Sequence, residues 1–212
     1  MITLTTFKWV PDFARGLVRD LRVRWALEEA GLPYETRQIS FEDSEGPDYR
    51  RHQPFGQVPM IEEDGFVLFE SGAILLHVAA RSEVLLPADP AARARAVAWV
   101  FAALNSIETV IEQLSGIDLF HADEDWAKAR RPAAEREATR RLSELAAWLG
   151  DRDHLEGRFT AGDLMMATVL RILRHTDLVA AEPRLQAYLA RCEARPAFQR
   201  ALHDHMAAFG EA

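Results

Sequence analysis

Pro54-Phe55-Gly56-Gln57-Val58-Pro59-Met60-Ile61 decides the reading of this chain, together with Phe69-Glu70-Ser71 downstream. Proline has no N–H to give to a sheet ladder, so Pro59 before the apolar Met60 and Ile61 marks the threshold of a strand. A bend at this point, for which a cis peptide bond is one solution, leaves the N–H and C=O of Val58 outside the sheet. They are then able to pair with an extended peptide. Met60–Glu62 and Phe66–Phe69 flank Asp64-Gly65, a dipeptide suited to a tight hairpin. Glu70-Ser71 then opens the apolar run Gly72–Ala80. The first turn of a helix presents unpaired N–H groups and partial positive charge, which makes it an anion site. Free backbone groups beside an anion site suit a small peptide-like ligand that carries carboxylates.

Upstream, Ile2–Phe7 is rich in β-branched residues and reads as a strand. Pro11–Gly16 reads as a loop and Leu17–Ala30 as a helix, with Val23, Ala26, Leu27 and Ala30 on one buried stripe. Gly31 supplies a left-handed cap and Pro33 prevents continuation. Tyr34–Ile39 fits a second strand. Ser40–Gln53 is polar and reads as irregular, with room for one helical turn. Downstream, Leu86-Pro87-Ala88-Asp89-Pro90 has two prolines and no periodicity, and no strand signal follows it. Ala91 to about Leu114 and Glu124–Leu149 read as long helices, Pro132 marking a start or a break in the second. Thr160-Ala161-Gly162-Asp163 is a capping box ahead of the apolar run Leu164–Leu173. Pro183 and Pro196 suit first helical positions. The order predicts an α/β thioredoxin-like N-terminal domain over residues 1–83, a linker at 84–90, and an all-α helical domain over 91–212.

Composition narrows the function. The 212 residues are 49% hydrophobic and 27% charged, ordinary for a globular protein. No run reads as the ~18 to 20 apolar residues of a membrane span, and the N-terminus lacks the basic and apolar regions of a signal peptide. A single cysteine, Cys192, excludes an internal disulfide; it fits a reducing compartment such as the cytoplasm and reads as a small buried residue. The net charge of −8 argues against nucleic acid as a partner. No metal site is expected: His203 and His205 fall two apart on a helix and share no face, and His121, Asp123 and Glu124 lack ligand spacing. Neither a Gly-rich phosphate loop nor a Gly-x-Ser-x-Gly elbow occurs.

Pro54–Pro59 combined with Glu70-Ser71-Gly72-Ala73-Ile74 resembles the cytosolic glutathione transferase family. The Thr160/Asp163 box and the helical second half extend the resemblance over nearly the whole chain. The resemblance implies that Val58, before a cis Pro59, binds the cysteinyl part of glutathione through its backbone. It implies that Glu70 and Ser71 hold the γ-glutamyl group, that Thr160 and Asp163 are structural, and that the protein is a homodimer. Gln57 contacts either the ligand or only its own loop. Glutathione is then the cosubstrate, and its thiolate attacks a small hydrophobic electrophile or a peroxide. The electrophile is expected between Trp9 and the first long helices of the second domain, around Trp99, Phe101, Asn105 and Glu108, with Lys8 beside Trp9. One of Arg50, Arg51 and His52 meets the glycine carboxylate, or all three form a solvated patch.

The sequence departs from the family at the thiol-activating group. Relatives place Tyr, Ser or Cys between the first strand and the first helix; here the first Ser is Ser40, the first Tyr is Tyr34, and the earlier hydroxyls Thr3, Thr5 and Thr6 lie in the strand. Aligning Ala26–Gly31 with the family's helix ending puts Arg19 near the usual position. Either a cation with the helix N-terminus stabilises the thiolate, with Arg15, Arg19 or Lys8 as donor, or conventional activity is weak. In the second case Arg15 and Arg19 are surface charges and the protein is a non-enzymatic glutathione or ligand binder. A glutathione-dependent isomerase or lyase is the third reading.

Overall fold

The computed structural model describes residues 1–209. β1 (Ile2–Phe7) runs parallel to β2 (Tyr34–Ile39), and the crossover that parallel pairing requires is α1 (Asp20–Ala30). Two short helices, α2 (Phe41–Glu45) and α3 (Pro47–Arg50), lead to the antiparallel hairpin of β3 (Met60–Glu63) and β4 (Phe66–Phe69). The sheet order is β2-β1-β3-β4, and α4 (Ser71–Ala79) follows. This is the α/β thioredoxin-like architecture expected of the first half.

α1 is the hub of this unit. It packs against β1, α4 and α10 (Pro196–Ala207), so Leu21–Leu27 are buried without a break. That enclosure explains why Arg22 and Arg24 are also inside, at 3% and 2% exposure. Trp25 meets Phe198 of α10 edge-on at 4.8 Å, both shielded from water. Burying a side chain of Phe198's size contributes about 1.5–3 kcal/mol.

The second half is helical. Asp89 caps α5 (Pro90–Ala102) by accepting from the Ala92 N–H at 2.7 Å, with Pro90 at the first position. A π-helical stretch, Ala103–Glu108, joins α5 to α6 (Thr109–Phe120). α7 (Asp125–Leu149) and α9 (Pro183–Glu193) pack together, and α8 (Ala161–Leu170) is buried at every residue. Thr160 and Asp163 form the expected box: the Thr160 N–H donates to Asp163 Oδ2 at 2.9 Å, and the Thr160 hydroxyl oxygen caps the first turn.

Five sequence expectations differ from the structure. α1 starts at Asp20 rather than Leu17: after Gly16 at φ +77° the chain runs in tighter turns, with the Leu21 N–H donating to the Val18 carbonyl at 3.0 Å and the Arg22 N–H to the Arg19 carbonyl at 3.2 Å. Ser40–Gln53 contains two helices, not one turn; Ser40 and Asp43 make a reciprocal capping box that starts α2. Pro132 neither starts nor breaks α7; it lies on the exposed face, where water can serve the carbonyl that loses its partner. The helical run Pro90–Phe120 is, by length and composition, apolar enough to cross a membrane, contrary to the reading that no run reaches that mark. A third of its apolar window is buried inside the structure. Finally, α10 does not join the helical half. The compact units are residues 1–87 with the segment from Arg195 onward, and 88–194, because α10 buries its apolar face on α1.

Candidate functional site

Strand register gathers the sequence motifs at one end of the first unit's sheet. Met60 pairs with Phe69 across the hairpin and with Thr5 on β1. Val58-Pro59, just before Met60, and Glu70-Ser71, just after Phe69, therefore leave the sheet at the same end. β1 runs toward that end too, so the loop that begins at Lys8 emerges there as well. Successive strand residues rise about 3.3 Å, so one or two residues beyond a register pair are still close neighbours.

The Val58–Pro59 bond is cis. Val58 stands outside the β3 ladder, and among the described residues its N–H and C=O take no turn or loop hydrogen bond. Its side chain is buried, which anchors the backbone that is left available. The preceding loop is tied to itself. Tyr49 Oη donates to the Gln57 carbonyl at 2.7 Å, and burial pushes the Tyr49 phenol up to about 12, so it stays a donor. Gln53, buried, accepts from the Phe55 N–H at 2.8 Å. Gly56 sits at φ +65°, and a Cβ there would meet the Ser44 carbonyl at 2.9 Å, so only glycine fits. The Gln57 side chain is exposed. Arg50 pairs with Glu45 and donates to the Pro54 carbonyl at 3.1 Å, while Arg51 reaches Asp48 at 3.3 Å. Both guanidiniums are thus engaged within the loop.

Glu70 caps α4 in an uncommon backbone state, φ +71° and ψ 115°. A non-glycine residue at positive φ stores of order 1–3 kcal/mol and points to a functional constraint. Its carbonyl accepts from the Ile74 N–H at 2.9 Å, which leaves the N–H groups of the α4 first turn facing outward. Ser71 is buried, and its Oγ accepts from Arg22 Nη1 at 3.3 Å. A guanidinium can only donate, so the Ser71 hydroxyl proton is directed elsewhere, toward any acceptor at the helix mouth. Sequence reasoning missed Arg22. The available signal was an arginine flanked by Leu21 and Val23 inside an apolar helix, a place where charge is costly without a partner.

The candidate activators lie in the loop ahead of α1. Arg15 forms an ion pair with Asp12 at 3.3 Å and is 28% exposed at its side chain; Arg19 is half-buried at the residue capping α1. Lys8 is exposed, its backbone N–H bonded to the Ile39 carbonyl at 2.9 Å. Trp9 is half-exposed and meets Phe41 edge-on at 6.2 Å; Phe41 in turn contacts Phe7 at 4.4 Å. In the second unit Asn105 and Glu108 occupy the π-helical stretch, Asn105 exposed and Glu108 buried. Trp99 is committed within that unit, donating to Glu156 at 2.8 Å and meeting the Trp148 ring at a tilt of 52°. Among the described residues no group of three or more metal-ligating side chains occurs.

Comparison with known proteins resolves the family. Residues 13–80 match the glutathione S-transferase N-terminal domain, and residues 110–196 match the glutathione S-transferase C-terminal domain. The chain belongs to the glutathione S-transferase family. A family member from Pseudomonas fluorescens, crystallised with two glutathione bound, is 30% identical with a TM-score of 0.82; 95% of this chain and 92% of that chain are covered. Glutathione S-transferase 1 of Zea mays is 29% identical over 84% of this chain and 88% of its own. Hematopoietic prostaglandin D synthase of Gallus gallus is 28% identical over 82% of this chain and 84% of its own.

Proposed function

We propose that this member is a glutathione transferase that binds reduced glutathione at the sheet end built by Val58-Pro59 and Glu70-Ser71. The observation that carries the reading is the register Thr5–Met60–Phe69, which brings a free backbone pair, a helix N-terminus and the β1 loop together. Val58 gives the cysteinyl part a strand-like partner. Glu70 receives the γ-glutamyl ammonium, and the Ser71 hydroxyl with the α4 amides receives its carboxylate. Gln57 adds an exposed amide beside them. The likeness to a protein crystallised with glutathione supports this assignment.

Arg15 and Arg19 are the proposed activators. A positive charge near the thiol favours thiolate and raises the reactive fraction at neutral pH. Lys8 and Trp9 are assigned to a small hydrophobic electrophile, with the same assignment for Asn105 and Glu108 in the second unit. The working unit is proposed to be a homodimer. The likeness to a prostaglandin D synthase favours a second reading, in which bound thiolate is used without net conjugation, as in a glutathione-dependent isomerase or lyase. Calorimetric titration with reduced glutathione, then ultraviolet titration of the thiolate in the complex, tests the proposal. Binding with a depressed thiol pKa supports it. Binding with an ordinary pKa points to a non-enzymatic carrier, and no binding removes the site.

A further inference from the structure

α10 brings a fully buried histidine into the first unit. The Gly16 backbone N–H donates to His205 Nε2 at 3.2 Å. His205 Nδ1 lies 3.1 Å from Asp20 Oδ2, and the same oxygen receives Arg24 Nε at 2.9 Å. Asp20 is as completely buried as the imidazole, and Phe209 closes over the ring edge-on at 4.9 Å. The contacts fix the proton. A backbone N–H can only donate, so Nε2 presents its lone pair; the neutral ring then carries hydrogen on Nδ1 and gives it to Asp20. With both nitrogens occupied, His205 is no general base. It is a clamp.

What it clamps gives it meaning. Gly16 directly follows Arg15, and Asp20 directly follows Arg19. One imidazole therefore grips the neighbour of each candidate activator, from 189 and 185 residues away in sequence. We propose that His205 is a positioning residue that holds Arg15 and Arg19 at the thiol of bound glutathione. This inference rests on the transferase reading above. Affinity is carried by Val58, Glu70 and Ser71 on other elements, so His205 acts on thiol activation and leaves binding nearly untouched.

Two variants of the full chain separate the halves of the clamp. In His205→Asn the amide nitrogen occupies the place of Nδ1 and keeps Asp20 satisfied, but the shorter side chain no longer accepts from the Gly16 N–H. In His205→Gln the amide extends to the place of Nε2, where its oxygen can accept from Gly16. Kd for reduced glutathione, the thiol pKa in the complex, kcat and Gly16 amide exchange are measured on each. His205→Asn is expected to hold Kd within about twofold while the thiol pKa rises by roughly half a unit or more. Its kcat falls severalfold and its Gly16 amide exchanges at least about tenfold faster, and His205→Gln moves these values back toward wild type. An unmoved thiol pKa in a folded His205→Asn protein overturns the proposal, as does an equal loss of Kd in both variants. Should the variants not fold, nitrogen-15 spectroscopy of wild-type His205 decides: hydrogen on Nδ1 supports the clamp and hydrogen on Nε2 overturns it. Wild-type protein that binds no glutathione overturns the transferase reading, and the role of His205 with it. Depressed thiol pKa in wild type that His205→Asn does not shift overturns the role of His205 alone.

Discussion

Glu70 shows what a single residue gives up for a site. Held at φ +71° and exposed, it gains nothing in packing from that backbone state. Glu70→Gly is expected to raise stability by about 1 kcal/mol, measured by urea unfolding, because glycine adopts positive φ freely. The same variant is expected to lose glutathione affinity severalfold by calorimetry; retained affinity would remove Glu70 from the site. At Ser71 the hydroxyl is oriented by Arg22. Ser71→Ala is expected to weaken binding by about tenfold, since a hydrogen bond to a charged group contributes roughly 1.5–3 kcal/mol. Arg22→Met should weaken it by less, and the double variant should show non-additivity, because the two side chains act as one unit.

The elements differ in how much of them the sequence displays. Asp163 is a case where a local signal sufficed. A Thr-x-x-Asp spacing ahead of an apolar run announces a capped helix, and the structure adds that the Asp163 carboxylate also accepts from the Leu155 N–H at 2.9 Å and Tyr188 Oη at 3.1 Å. Asp163→Ala orphans several buried donors and is expected to cost about 3 kcal/mol or more in urea unfolding. β1, β2, the hairpin and Val58-Pro59 were legible for the same reason: alternation, an Asp-Gly turn and a proline act within a few residues. Arg22, Gly16 and His205 were not. Their partners lie far along the chain, and no window of sequence shows that a histidine at position 205 meets a glycine at position 16. The π-helical stretch Ala103–Glu108 was likewise invisible, since its residues continue the same helical composition on either side.

On the scale of the whole molecule, acid stability follows from the same buried group. Burial pushes the Asp20 carboxyl up, but the hydrogen bonds from His205 and Arg24 and the positive charge of Arg24 outweigh it and hold it below its ordinary 3.8. The folded state thus binds this proton less readily than the unfolded chain. Its stabilisation is present above about pH 4 and is lost as pH falls through the folded value. Asp20→Asn is therefore expected to be less stable at neutral pH and to show a flatter loss of stability below pH 4, measured by urea midpoints across the acid range. The division of the chain has a temporal consequence as well. A ribosome adds about 5 to 20 residues per second, so β1 and α1 emerge many seconds before α10 is made. Through that interval Trp25 lacks Phe198, and Asp20 and Gly16 lack His205. A nascent chain halted after the helical half therefore carries an exposed apolar face on α1, a target for holding chaperones that the completed molecule conceals.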